Sequence, residues 1–350
     1  MGLRILHSAD WHLDSPFSGF SEGKRECLKE AQRRLPGQIA DLCLREGCDL
    51  LLLAGDIFDG PYTRETAEIL KAALARCGAR VLIAPGNHDF LEEASPWLRE
   101  AWPENVHIFS PELSFVDLPE LDCRVWGAGY QSMDCEALLR DFRACGTQGY
   151  SLCVLHGDPM QLNSPYCPVN AAQVRDSDLS YLALGHIHKA GSFRAGATLC
   201  AWPGSPMGRG FDETGEKGVY LVTLSEEPEL RFMSLDTPRF YDLEVDTEGE
   251  TPEAVLPAGA DDSFYRVTLT GSSREELSSL YSRFSHLPNL ELIDRRHSAE
   301  DIWARAGEDT LEGTYFARLR EKLDTQPTET VCLAAEISRK LLGGWEVKLP

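Results

Sequence analysis

The sequence predicts an α/β protein, and three observations carry that expectation. Short runs over 3–6, 50–54, 81–84, 152–155 and 181–184 are apolar on both faces, which suits buried strands better than helices. Helical stretches fall between them, over about 24–46, 63–77 and 134–144. Strands that alternate with helices indicate layered α/β architecture. Pro36 beside Gly37 is expected to kink or split the first helix. Further apolar runs lie around 124–128, 198–202 and 218–224. No clear helix separates the last two, so part of the sheet is expected to be antiparallel.

The composition changes near residue 240. Residues 242–262 hold eight acids and no Lys or Arg, with Pro252 and Pro257 among them, and read as a poorly packed connection or a pair of edge elements. Beyond it, 264–269 reads as a strand, 274–284 as a helix and 290–293 as a strand. Asp309 with Glu312 fits a capping-box start, followed by one apolar stripe of Leu311, Tyr315, Leu319 and Leu323. A last helix over 328–342 is expected to stop at Gly343 and Gly344. If these two helices dock a partner, Leu319, Leu323, Ile337 and Leu341 are the candidate anchors; otherwise their stripes only pack on the preceding unit. The expected organisation is a catalytic domain over 1–238, a small α/β capping domain over 239–300 and C-terminal helices over 301–350.

The chain has 350 residues, with 34 basic and 56 acidic side chains and a net charge of −22. That length is about two domains' worth at roughly 150 residues each. Apolar residues at 43% and charged residues at 26% argue against disordered, collagenous and coiled-coil classes. No apolar stretch approaches the roughly 18 residues of a membrane span. The start has no apolar core for a signal peptide, and Leu6 stands where a myristoylation site takes Ser or Thr. A cytoplasmic protein without a membrane anchor is expected. Eleven cysteines, none at CxxC spacing, argue against a disulfide scaffold or a thiolate zinc site. Residues 1–240 carry 22 basic and 34 acidic groups, and 241–350 carry 12 and 22, so neither part is a basic module. Lys24, Arg25, Lys29, Arg33 and Arg34 could guide a polyanion backbone or form a solvated helix face.

Five clusters carry the chemistry: Asp10-Trp11-His12, Gly55-Asp56-Ile57-Phe58-Asp59, Gly86-Asn87-His88-Asp89, His156-Gly157-Asp158 and Gly185-His186-Ile187-His188. Each follows an apolar run, which places all five at strand carboxyl ends, the usual side for a site. Residues two apart at a strand end project to one side, so Asp10 with His12, and His186 with His188, can converge. A mixed nitrogen and oxygen set is too nitrogen-rich for calcium or a dedicated magnesium cage and suits manganese, iron or zinc. Taken singly, each cluster could be a capped turn or a satisfied core histidine; five in this order are hard to produce by chance. His7 reads as structural or as a support to a ligand, and His107, His286 and His297 have no ligand company.

The order D-x-H, G-D-x-x-D, G-N-H-D, H, G-H-x-H over about residues 3–205 resembles the calcineurin-like metallophosphoesterase superfamily. Within it, 7–13 and 184–189 resemble the nuclease component of SbcCD complexes, and Leu13-Asp14-Ser15-Pro16-Phe17 resembles the YhaO-like DNA-repair exonuclease branch. The resemblance implies a β-sandwich between helical layers. It implies that Asp10, His12, Asp56 and His188 hold one metal ion. Asp56, Asn87, His156 and His186 would hold a second, with Asp56 bridging. His88 matches the catalytic histidine that binds no metal, with Asp89 and Asp59 as plausible groups orienting His88 and a ligand respectively. It further implies manganese-dependent phosphodiester cleavage by a metal-bridging hydroxide, DNA as substrate and an SbcC-like coiled-coil ATPase partner. A phosphodiesterase or phosphatase for small molecules or phosphoproteins, an interaction scaffold with structural metals, and a homodimer remain open alternatives.

Overall fold

Four successive leucines, Leu50–Leu53, are all buried, so the strand they form must be covered on both faces. This strand, β2, lies inside a six-stranded sheet beside β1 (Leu3–Ser8), in parallel register from Ile5 opposite Leu50 to Ser8 opposite Leu53. β3 (Arg80–Ile83) and β4 (Val106–Ile108) continue the parallel part. On the other side β11 (Gly218–Leu224) runs antiparallel to β1, and β12 (Glu229–Ser234) antiparallel to β11. The structure, a computed structural model, describes residues 2–146, 148–273, 275–298 and 303–342. It divides into two units, Met1–Phe240 and Tyr241–Pro350.

A second six-stranded sheet of the first unit has the order β5 (Ser114–Leu118), β6 (Cys123–Gly127), β7 (Tyr150–His156), β8 (Tyr181–Gly185), β10 (Thr198–Trp202), β9 (Gly191–Ala195). β6, β7, β8 and β10 are parallel, and the two edges are antiparallel. Alternation along each strand sends every second side chain to one face. Leu3, Ile5, Leu50, Leu52 and Leu82 of the first sheet thus share one buried cluster with Val125, Leu152, Val154, Tyr181 and Ala183 of the second. The first unit is a β-sandwich. The other face of the second sheet, with Cys153, Leu155, Leu182, Leu184 and Cys200, is covered by Val174 of α4 (Ala171–Asp176) and by loop residues such as Tyr130, Leu139 and Cys167.

Of the two outcomes expected at Pro36 the split does not occur, and a second helical expectation fails. Helix α1 (Glu22–Arg45) is not split: it runs through Pro36, which is buried among Leu28, Ala31, Leu35 and Ile39. Tertiary packing of that face, joined by α2 (Arg64–Arg76), outweighs the roughly 3 kcal/mol an interior proline costs a helix. Residues 134–144 are not helical. Asp141 takes a left-handed φ of 58°, and Cys135 instead bridges to Tyr166, so this segment follows its neighbours in space rather than its own periodicity. Local signals also missed the short strands β4, β5, β9 and β12. No disulfide joins any of the eleven cysteines, and no helix among the described residues is long and apolar enough to cross a membrane.

The second unit has a three-stranded sheet of β13 (Phe240–Asp246), β14 (Phe264–Thr270) and β16 (Leu290–Asp294), with α5 (Leu277–Arg283) between the last two, which are parallel. β15 (Ser272–Ser273) pairs with β17 (His297–Ser298). Val245, Val267, Leu269, Leu280, Phe284 and Leu292 form its core. Residues 242–262, read as connection or edge, thus begin as a strand. The cap of α6 (Leu311–Arg320) is Thr310, whose hydroxyl accepts from Gly313 N at 2.9 Å, one residue later than the Asp309 expected. Phe316 is its buried anchor, while Leu311 is 90% exposed. The expected stripe therefore faces largely outward. α7 (Thr328–Leu342) follows the expected span, and Gly343 and Gly344 lie outside the described residues.

Candidate metal centre

Each cluster begins where a strand stops: β1 at Ser8, β2 at Leu53, β3 at Ile83, β7 at His156 and β8 at Gly185. Convergence does not come from strand alternation, as the sequence suggested. Asp10, His12, Asp56 and His186 have already left their strands and take left-handed φ values of 55°, 48°, 53° and 86°. Such backbone costs on the order of 1–3 kcal/mol per residue and persists where neighbours over-determine it. Here they do. Asp10 N donates to Gly55 O and His12 N to Asp56 O, both at 3.0 Å. His186 N donates to Asp10 Oδ1 at 3.0 Å, and His88 N to Asp56 Oδ1 at 2.9 Å. Glycine makes the close approach feasible: a Cβ on Gly86 would stand 2.2 Å from Asp56 Oδ1.

Three histidine rings are oriented from behind. His12 Nδ1 donates to Asp59 Oδ1 at 3.1 Å, His188 Nδ1 to Glu213 Oε1 at 2.8 Å, and His156 Nδ1 to Ala54 O at 2.9 Å. A ring whose Nδ1–H is held this way presents the Nε2 lone pair on its other side. The Nε2 atoms of His12 and His188 stand 3.3 Å apart, and His156 Nε2 lies 2.9 Å from Asn87 Oδ1 and 3.4 Å from Asp56 Oδ2. Donor atoms facing one another at these separations call for a positive charge between them, either a proton on one ring or a metal ion. Three groups each bring one donor atom per residue within 4.8 Å: Asp10, His12, His188; His12, Asp56, His88; and Asp10, Asp56, His156. Asp10, His12 and Asp56 serve in two groups each. The residues present fit a dinuclear divalent-metal site.

The electrostatics agree. Burial alone would raise the Asp56 carboxyl, but the His156 charge and its hydrogen bond hold it well below the usual carboxylate range. Burial would lower His156, yet the Asp56 charge pushes it up to about 9. A metal ion bound there displaces a proton. Burial and the neighbouring Asp56 push Asp89 up to about 6.

The structure brings Asp10, His12, Asp56, Asn87, His156 and His188 together. His186 joins differently: its backbone holds Asp10, and its ring packs against His156 and Tyr166 with centroids 5.2 and 4.6 Å apart. It is in none of the three donor groups. His88, whose side chain is 41% exposed, is in one of them. Asp89 does not sit where it was expected, against His88. It is buried and accepts from the backbone N–H of Gly86, Asp56, Ile57 and Phe58 at 2.7–3.2 Å, tying two loops together. Asp59 faces both His12 and His88. Among the described residues these four loop donors have no other acceptor, which accounts for where Asp89 turns.

Sequence reasoning missed Glu213, Arg209, Ser15 and Gln32. Glu213 orients His188 from 25 residues away, across the β9–β10 hairpin, so no local pattern announces it. Ser15 Oγ donates to Asp59 at 2.7 Å, and Gln32 Nε2 to His12 O at 2.6 Å. His7 is structural, bonded through Nδ1 to the Tyr181 hydroxyl at 2.8 Å and through Nε2 to Leu184 O at 3.0 Å. His286 Nε2 donates to Pro257 O.

Comparisons with known proteins bear on this geometry. The family described as calcineurin-like phosphoesterase matches residues 3–190. The chain is 35% identical over 237 residues to the uncharacterized metallophosphoesterase YhaO of Bacillus subtilis (strain 168), covering 63% of this chain and 57% of that one. It is 29% identical over 267 residues to the SbcD component of the nuclease SbcCD of the same organism, covering 63% and 66%. It is 27% identical over 272 residues to the SbcD component of the nuclease SbcCD of Escherichia coli (strain K12), covering 64% and 65%. The matched segment thus spans between 57% and 66% of these relatives' own length.

Proposed function

The chain belongs to the calcineurin-like phosphoesterase family, and from that premise we propose that it is a manganese-dependent phosphodiesterase, the DNA exonuclease component of an SbcCD-like repair complex. The single observation that carries the reading is the set of imidazoles anchored through Nδ1, with Asp10 and Asp56 among their Nε2 atoms. Asp10, His12, Asp56 and His188 would hold one ion and Asp56, Asn87 and His156 the other, with His186, whose ring packs on His156, as the remaining member of the second set. Two such ions, when bound, neutralise the phosphodiester and supply a nucleophile at neutral pH. The chain's residues do the rest. Asp59 and Glu213 fix the ring orientations. His88 stands at the exposed side of the cluster, where it can protonate the departing alkoxide, help worth on the order of 10²–10⁴-fold.

DNA is favoured by the SbcCD relatives, which are named as parts of a nuclease. A chain with a net charge of −22 cannot hold a long polyanion by its overall field. A coiled-coil ATPase partner like SbcC would supply that grip, in a cytoplasm whose reducing poise suits eleven cysteines without a disulfide. The same charge favours the second reading, a phosphodiesterase or phosphatase for small molecules or phosphoproteins. On the exposed face of α1, Arg33 and Arg34 already pair with Glu26 at 3.7 Å and Glu30 at 3.6 Å, which weakens the case for that helix as a DNA track.

The test is an activity panel with manganese, comparing labelled single- and double-stranded DNA with cyclic dinucleotides, a phosphopeptide and bis-p-nitrophenyl phosphate. Shortening of DNA from an end, in preference to the small substrates, supports the nuclease. Turnover of cyclic dinucleotides or phosphopeptide alone favours the second reading.

A further inference from the structure

Arg209 is a guanidinium at the cluster that the ligand set leaves unused. Its Nε and Nη2 both donate to Glu213 Oε1, at 3.1 and 3.0 Å, and its backbone N–H donates to Oε2 at 3.2 Å. The same Oε1 accepts from His188 Nδ1 at 2.8 Å. One carboxylate thus sets the His188 ring and one side of the arginine fork together. Nη2 lies 3.3 Å from His188 Nδ1, but that ring proton is directed at Glu213, so the pair is a near approach and not a bond. Nη1 stands 3.8 Å from Asp59 Oδ1, beyond hydrogen-bond range. Among the described residues Nη1 makes no hydrogen bond.

Of the five donors a guanidinium carries, the two on Nη1 are therefore presented with their direction already fixed. The side chain is 24% exposed and borders, with His188, Lys189 and Ser205, a cleft of about 880 Å³. Of the two lysines on the same cleft, Lys189 is exposed and no hydrogen bond of its side chain is seen among the described residues, and Lys217 cannot take the same part. It is 5% exposed, and its Nζ donates to Ser205 Oγ at 3.2 Å and His188 O at 3.4 Å. Of the residues lining that cleft His188 alone belongs to a donor group; beside it Asp10, Asp56, Asp59 and Glu213 make the cluster strongly anionic before any metal is counted. A phosphate entering it meets one fixed cation whose donors point at the cluster rather than away from it.

We propose that Arg209 is a phosphate-binding residue, its Nη1 donating to a non-bridging oxygen of the phosphate held at the metal centre. This rests on the phosphoesterase reading above. Glu213 is then a positioning residue with two duties, the His188 ring on one side and the arginine fork on the other.

The experiment uses the full chain loaded with manganese, as parent, Arg209→Met and Arg209→Lys. Metal content, melting temperature, affinity for inorganic phosphate by calorimetry, and kcat and KM for bis-p-nitrophenyl phosphate are measured on each. Arg209→Met should keep the parent's metal content and lose about 10–100-fold in phosphate affinity, the range of one charge-assisted hydrogen bond. kcat/KM should fall by a similar factor. Arg209→Lys should recover part of the affinity through charge but not all, since an ammonium cannot hold Glu213 and reach the phosphate at once. Phosphate affinity unchanged in Arg209→Met overturns the proposal. So does loss of metal together with phosphate, because Arg209 would then act only through Glu213 and His188. A parent that binds phosphate in an Arg209-dependent way but cleaves nothing in the panel upholds the binding site and defeats the phosphodiesterase reading instead.

Discussion

Oδ1 of Asp59 and Nδ1 of His88 face each other across 3.0 Å. The contact fixes which nitrogen His88 offers elsewhere: with Nδ1–H bound to the carboxylate, Nε2 is the atom left to serve a substrate. His88→Ala should retain the bound ions, since other side chains supply every donor in two of the three groups. Diester hydrolysis should fall by on the order of 10²–10⁴-fold. Metal analysis beside rates at saturating manganese checks both halves. A parental rate in the variant removes His88 from the chemistry.

Asp59→Asn separates the two duties of that carboxylate. It also holds His12 Nδ1 at 3.1 Å, and loss of such an outer partner costs roughly 10–100-fold in metal affinity. The variant should need more manganese for half-maximal activity than His88→Ala does for half-maximal binding. Equal metal titrations in the two variants would show that Asp59 does nothing for His12.

Asp56 stands in two donor groups, with His12 and His88 in one and with Asp10 and His156 in the other. Asp56→Asn should therefore weaken both ions together, reading well below two per chain, and abolish the rise in melting temperature that metal gives a protein binding it only when folded. Unchanged occupancy would mean that no single carboxylate joins the two positions.

Much of this architecture is written in local pattern. The buried leucines 50–53 and the Asp, Asn and His that follow each run announce strands and site together, because a short strand covered on both faces must be apolar and a site must be polar where it stops. Packing decides the rest. Pro36 stays inside a helix because its face is buried, and residues 134–144 lose theirs because Cys135 pairs with Tyr166. Asp59 rather than Asp89 meets His88, a choice made by four backbone donors that lie side by side only after folding. Glu213 reaches His188 across a hairpin, and Arg209 follows Glu213. Residue type marks a ligand from sequence. What orients the ligand is a property of the fold.

Gly86 tests how tightly the loops must close. A Cβ there would lie 2.2 Å from Asp56 Oδ1 and 2.6 Å from Asp56 N, so either the carboxylate or the backbone must move. Gly86→Ala should cost about 1–3 kcal/mol of stability and lower metal occupancy in parallel with Asp56→Asn. Gly23, in α1 with nothing within 4 Å of an added Cβ, is the matched control. Gly23→Ala should stabilise by roughly 0.4–1 kcal/mol and leave metal binding unchanged. Full occupancy in Gly86→Ala would show that the turn has room to yield.

His7 gives the stability a pH signature. Burial lowers its pKa from 6.5 to about 3, and its bond to Leu184 O only partly offsets that. The unfolded chain therefore takes the proton first on acidification. Between pH 6.5 and about 3 the unfolded state binds more protons at this site, so stability is lost as pH falls, at up to about 1.4 kcal/mol per pH unit. Above pH 6.5 the group contributes no slope. His7→Asn should flatten the curve in that window alone, measured by denaturant unfolding with chelator present so that metal release does not intrude. Parallel curves for parent and variant would place the titration elsewhere.

The terminal helices bear on the proposed partner. Of the candidate anchors, Leu319, Leu323 and Ile337 are half-buried while Leu341 is 58% exposed. Phe316, Val331 and Ala335 are buried where α6 and α7 pack on one another, with Tyr315 and Ser338 sharing a hydrogen bond of 2.7 Å. Leu311, Leu333, Leu341 and Leu342 remain 90%, 48%, 58% and 59% exposed, the apolar knobs an amphipathic helix offers a groove. Exposed leucines contribute little to folding, so Leu333→Asp and Leu341→Asp should each leave the melting temperature and hydrolysis of a small diester at parental values. Every proposed ligand lies before residue 190. If these helices dock a coiled-coil ATPase, the same substitutions should abolish co-purification with it and slow the processing of long DNA. A folded, active Leu341→Asp variant that still captures the ATPase would move the docking surface off this helix. One that unfolds would instead mark Leu341 as part of the unit's packing.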